Sequence, residues 1–144
     1  MTEGHPHQTA RDLMSQGAEC IQSHETLDRA AQMMRDLKVG ALPICGPDDR
    51  LQGIITDRDI VVKCIAEGRD PSRTTAGDLA TGLVWISADA TVQEALDKME
   101  QHRIRRLPVI DNHRIVGMIS EADLARHLPD DLLADFCHRI YSEP

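Results

Sequence analysis

The sequence predicts an α/β protein made of two copies of one strand–helix–strand–strand–helix unit. Three observations carry that expectation. Leu42 to Asp59 (LPICGPDDRLQGIITDRD) recurs with drift as Leu107 to Asp123 (LPVIDNHRIVGMISEAD), a period of about 65 residues that marks a duplicated supersecondary unit. Each copy is preceded by apolar residues at helical spacing. Each also holds two short apolar runs separated by a polar turn, the pattern of a hairpin.

Taken in order, residues 1–8 (MTEGHPHQ) are expected to form a disordered leader. A short helix is expected over Ala10 to Met14, with an echo at Ala76 to Leu79, and brief strands over Cys20 to Gln22 and Val84 to Ser87. Thr26 opens an amphipathic helix with Leu27, Ala30, Ala31, Met34 and Leu37 on its apolar side. Its counterpart opens at Thr91 and carries Val92, Ala95, Leu96 and Met99. Thr91 and Glu94 have the spacing of a capping box, in which hydroxyl and carboxylate satisfy the first free amides. Arg29 stands where that Glu would be in the first copy, so the box there is incomplete.

Strands follow at Ala41 to Cys45 and Leu51 to Thr56, then at Arg106 to Ile110 and Ile115 to Ser120. The turns GPDDR and DNHR between them are rich in chain breakers. A second helix closes each copy, Asp57 to Glu67 with Gly68 as its stop, and Glu121 to Leu128. The division is therefore a leader, a first repeat over residues 9–68, a linker over 69–75, a second repeat over 76–128 and a helical tail over 129–144. Leu132, Leu133, Phe136 and Ile140 give that tail an apolar stripe suited to covering core or a partner chain.

The formal net charge of −8 argues against general binding to nucleic acid or an anionic membrane. No stretch approaches the roughly 20 apolar residues that span a bilayer, and the first residues lack signal-peptide character. A cytoplasmic protein is the expectation. Cys20, Cys45, Cys64 and Cys137 include no CxxC pair, and Cys137, His138 and His127 fit no standard metal spacing, so no metal is expected.

The pattern that could carry chemistry is Gly-x-x-Thr/Ser-x-x-Asp: Gly53, Thr56 and Asp59, then Gly117, Ser120 and Asp123. It lies where a strand hands over to a helix, a place whose free amides favour an anion. Gly allows close approach, a hydroxyl can donate to phosphate, and a carboxylate can accept from both hydroxyls of a ribose. The plain alternative is an ordinary helix N-cap, which has the same spacing.

Together with Thr-x-x-x-Ala-x-x-x-Met (Thr26, Ala30, Met34; Thr91, Ala95, Met99) and the Pro-containing strands, these motifs resemble a tandem pair of CBS domains, the module named after cystathionine β-synthase. The resemblance runs from about Thr9 to His127. It implies two βαββα repeats in a pseudo-twofold arrangement (a Bateman module) with two clefts, which commonly take AMP, ADP, ATP or S-adenosylmethionine, and often a homodimer. By position, the resemblance assigns Asp59 and Asp123 to the ribose and Thr56 and Ser120 to phosphate. It places Ile21, Ile86, Ile54 and Met118 near adenine. The second copy reads HRIRRLPVID against LKVGALPICG, so Arg105 and Arg106 have no basic match in the first. A guanidinium fork suits phosphate, while basic residues at a helix end also offset its dipole.

Cys20 and Cys45 are expected on neighbouring strands, where a disulfide can form if the alpha carbons lie within roughly 7 Å. The reducing cytoplasm favours two buried thiols instead. No nucleophile elbow, P-loop or His-Glu-x-x-His is present, so an enzyme is not expected. The leading expectation is a non-catalytic sensor with no required cofactor. It takes an adenine nucleotide or S-adenosylmethionine as regulatory ligand and signals through an effector protein or a dimer contact. The alternative is a ligand-free interaction protein in a stress or low-oxygen response. Ile60, Val61, Val62 and Ile65, with Leu124, Ala125 and Leu128, give the second helices more apolar surface than one face needs, which also favours a homodimer.

Overall fold

The computed structural model describes residues 8–80 and 83–142. The leader histidines His5 and His7 lie outside the described residues. Two compact units emerge, one spanning Ala18–Leu83 and the other combining Met1–Gly17 with Val84–Pro144. The units are not the same division as the sequence repeats. The short helix that leads each repeat belongs to the unit of the other repeat.

In the first unit, β2 (Ile21–Gln22) runs parallel to β3 (Ala41–Cys45), which pairs antiparallel with β4 (Leu51–Thr56). Helix α2 (Leu27–Leu37) buries Leu27, Ala30 and Met34, one stripe at helical spacing. Its capping box is indeed missing, and the 69–75 linker supplies the remedy. Leu27 N–H donates to the Thr74 carbonyl at 2.9 Å and Asp28 N–H to the Pro71 carbonyl at 3.2 Å. Two amides that the helix leaves unpaired are thus satisfied from outside it. Thr74 is buried, and its hydroxyl donates to the Asp70 carbonyl.

After β4 the chain makes one α-helical turn, α3 (Asp57–Asp59), and widens into a π-helix over Ile60–Ile65. The sequence pattern predicts an ordinary helix here. The helix ends at Ile65, two residues short of the expected Glu67, and Gly68, with φ +75, lies in the turn that follows. Ile60 and Cys64 face the core, while Val61, Val62 and Ile65 remain exposed. Helix α4 (Ala76–Leu79) belongs to this same unit, its Ala76 and Leu79 joining the core around Ile21, Leu42, Ile44 and Ile55.

The second unit repeats the plan. Helix α1 (Ala10–Leu13) leads into β1 (Ser15–Gln16), which pairs antiparallel with β7 (Arg114–Ser120). The sheet continues through β6 (Arg106–Asp111) to β5 (Ile86–Ser87), in the order β1-β7-β6-β5. Helix α5 (Val92–His102) carries the expected capping box: Glu94 N–H donates to Thr91 Oγ1 at 3.1 Å, and Thr91 N–H to Glu94 Oε1 at 2.9 Å. Helix α6 (Glu121–His127) and helix α7 (Asp130–Tyr141) complete the unit. Phe136 and Ile140 of α7 are buried with Leu124 and Leu128, so the apolar stripe of the tail covers the core of its own unit. No helix among the described residues is long and apolar enough to cross a membrane.

Candidate functional site

Both copies deliver a hydroxyl residue, in extended conformation, from the end of a hairpin to the first turn of a helix. In the first unit, Asp59 N–H donates to Thr56 Oγ1 at 3.1 Å and Thr56 N–H to Asp59 Oδ2 at 3.0 Å. This is a reciprocal cap of the kind that fixes a helix start. The other carboxylate oxygen, Oδ1, faces Lys63 Nζ at 3.3 Å, one turn further on, and the Asp59 side chain keeps 19% of its exposure.

The second unit builds a denser version. Ser120 N–H donates to Asp123 Oδ2 at 2.8 Å and Asp123 N–H to Ser120 Oγ at 3.3 Å. Ser15, on β1, donates to Asp123 Oδ1 at 2.7 Å, and Arg126 pairs with the same oxygen. Asp123 is only 2% exposed, and these donors meet both its oxygens. The plain capping role therefore holds in both copies. A hydroxyl that accepts from its helix still has a proton to donate, so capping and ligand contact are compatible at Thr56.

Strand register sets what lies beside each motif. Arg106 pairs with Ser120 across β6 and β7, while the equivalent partner of Thr56 across β3 and β4 is Ala41. The basic side chain next to one motif and the methyl next to the other make the two sites chemically different. Arg105 is engaged elsewhere. Its guanidinium lies 5.5 Å from the centre of the Tyr141 ring, and Nη1 donates to the Tyr141 oxygen at 3.3 Å. That hydrogen bond, with attraction from the Glu121 carboxylate behind it, raises the Arg105 pKa. The phenol in turn donates to Glu121 Oε2 at 2.7 Å. Arg103 ends α5 in the left-handed region, φ 52, as Lys38 ends α2 at φ 59, and its side chain reaches the Ser142 carbonyl.

Ile21 is fully buried and Ile86 nearly so, each in the core of its own unit, whereas Ile54 and Met118 are half-buried. Among the four apolar candidates, the latter pair retains surface to offer. Gly117 has a structural reason of its own. A Cβ there would stand 2.6 Å from the Ser15 carbonyl oxygen, so glycine permits β1 to lie against β7.

Lys63 and Arg126 were missed in the sequence, although each stands four or three positions after an acid, the spacing of helical ion pairs that could have found them. Ser15, Glu121 and Tyr141 had no such signal, because their partners are distant in sequence. Against the expectation of two buried thiols, Cys20 and Cys45 are joined as a disulfide, with alpha carbons 5.8 Å apart, inside the reach such a bond requires. Cys20 directly precedes β2, which lies beside β3, the strand that ends at Cys45. Cys64 and Cys137 are free.

The CBS domain family model matches residues 10–65 and 76–130 of the chain. Over 135 residues the chain is 53% identical to Hypoxic response protein 1 of Mycobacterium tuberculosis, covering 93% of this chain and 94% of that one. A crystal structure of Hypoxic Response Protein I with two coordinated zinc ions superposes with a TM-score of 0.79 at 56% identity, covering 85% of this chain and all of that one. A hexameric CBS-CP12 protein from bloom-forming cyanobacteria superposes with a TM-score of 0.75 at 28% identity, covering 87% of this chain and 73% of that one. With both repeats matched and the α/β architecture shared, the chain belongs to the CBS domain family and carries two copies of the module.

Proposed function

We propose that the chain is a non-catalytic regulatory module that binds an adenosyl compound, of the AMP, ADP, ATP or S-adenosylmethionine class, through Thr56 and Asp59 and through Ser120 and Asp123. The observation that carries this reading is Arg106 directly across the ladder from Ser120, which sets a cation beside a hydroxyl and a carboxylate at a helix start. Phosphate would meet the cation and the hydroxyl, the ribose hydroxyls the carboxylate, and the base the half-buried Ile54 or Met118. Lys63, beside Asp59, gives the first motif a cation of its own.

A ligand can shift the protein between states only through different affinity for them. Its output would pass to an effector protein or to a second copy. Exposed Val61, Val62 and Ile65 on the π-helix offer the apolar face for a homodimer, whereas Leu124 and Leu128 of the second unit are already buried. Sedimentation of Val61→Glu against the unaltered chain tests this. A dimer that becomes monomeric supports the contact, and an unchanged mass rejects it.

The related structure has zinc ions. Among the described residues of this chain no three His, Cys, Asp or Glu side chains gather as a metal site, and no role is assigned to zinc. A second reading, a ligand-free interaction protein in a low-oxygen response, is favoured by the burial of Asp123 and the donors that already surround it. A thermal-shift screen of the full chain against the four adenosyl compounds separates the two. Stabilisation that saturates supports sensing, and no shift with any compound supports the interaction protein.

A further inference from the structure

Helix α7 does more than cover core. Its buried residues, Phe136 and Ile140, anchor it to the second unit, and Arg139 ties it to Glu100 at 3.2 Å. Beyond these anchors its end rests on two of the cations that flank the second motif in sequence, Arg103 and Arg105. Tyr141 lies over Arg105 and bridges it to Glu121, and the carbonyl of Ser142 takes the side chain of Arg103.

We propose that Tyr141 and Ser142 form a displaceable strap that withholds Arg105 and Arg103 from an incoming phosphate until it lifts. The inference rests on the adenosyl reading of the second motif and adds its regulation. The strap is held by exposed contacts alone. Tyr141 is 56% exposed and Arg105 is exposed, so the ring–guanidinium contact is of the weak, solvent-screened kind. Phe136, about a turn earlier, and Ile140, directly before Tyr141, are both buried, so what can lift is the Tyr141 side chain and Ser142 rather than the helix. An uncharged phenol holds the guanidinium only by a quadrupole and a neutral hydrogen bond. A phosphate would offer a charge-assisted fork in exchange. Removing the competitor should therefore tighten anion binding without any new contact.

Calorimetric titration of the full chain and of Tyr141→Ala and Tyr141→Phe, with ADP and with inorganic pyrophosphate as probes, tests this. Tyr141→Ala should bind both probes about five- to tenfold more tightly than the unaltered chain, with Tyr141→Phe between them. The same affinity in all three proteins overturns the strap and leaves the adenosyl reading standing. Tightening for pyrophosphate, with ADP bound no better than pyrophosphate, supports the strap and overturns the adenosyl reading. No binding of either probe by any of the three overturns both.

Discussion

The hydroxyl of Ser15 donates to the carboxylate of Asp123 across 2.7 Å and 108 positions of sequence. It thereby fastens the strand that follows α1 to the first turn of α6. Asp123 is buried, and losing this donor leaves its Oδ1 with Arg126 as its remaining side-chain partner. Ser15→Ala should destabilise the protein by about 1–3 kcal/mol in urea denaturation. A loss below a few tenths of a kcal/mol would mean that Arg126 alone satisfies that oxygen.

Arg106 is the cation that strand register sets beside Ser120. Arg106→Gln should weaken ADP binding by roughly tenfold or more, the worth of one hydrogen bond to a charged group. Arg106→Lys should recover only part of that, since an ammonium lacks the planar fork. Calorimetry with the three proteins checks both steps, and equal affinities would remove Arg106 from the site.

The Cys20–Cys45 bond closes a loop of 25 residues. Loop-closure entropy assigns such a link about 3–4 kcal/mol. Cys20→Ser should lower stability by that order, and the protein under non-reducing conditions should be about two mass units lighter than its reduced form. An intact mass unaltered by reductant would show two free thiols.

Acid should weaken the first unit through three exposed carboxylates. Hydrogen bonds from the Thr75 amide and hydroxyl hold Asp78 below its ordinary pKa, those from the Ser72 hydroxyl and amide do so for Asp70, and Arg35 does so for Asp36. A pKa lowered on folding contributes stability above the unfolded value, about 3.9, and loses it as pH falls through the folded value. Denaturation midpoints should be level from about pH 5 upward and fall below about pH 4. Asp78→Asn should make that fall shallower, and an unchanged slope would contradict the assignment.

Much of the fold was legible because it depends on short-range signals. Short apolar runs flanking a polar turn placed β3 and β4 at their observed limits, and the Thr91–Glu94 spacing specified a cap that is present. What escaped depends on contacts between distant segments. The placement of α1 with the second repeat goes with β1 lying against Gly117, and that of α4 with the first repeat goes with its amides donating to the Glu25 and Ser23 carbonyls; nothing in the nearby sequence announces either. The π-helical turn at Ile60–Ile65 has the same apolar pattern as an α-helix. At the motifs themselves, spacing revealed the hydroxyl and the acid, and the arginines beside the second copy. It could not reveal that Tyr141 already sits on Arg105, or that Ser15 already meets Asp123.

The central claim, that both motifs receive an adenosyl compound, is tested most directly by following backbone amide shifts while ADP is added to the full, isotope-labelled chain. The account expects the amides of Thr56 to Asp59 and of Ser120 to Asp123 to move and to saturate together with those of Ile54 and Met118. If these amides hold still at an ADP excess that saturates any other part of the chain, or if none moves at all, the claim is contradicted.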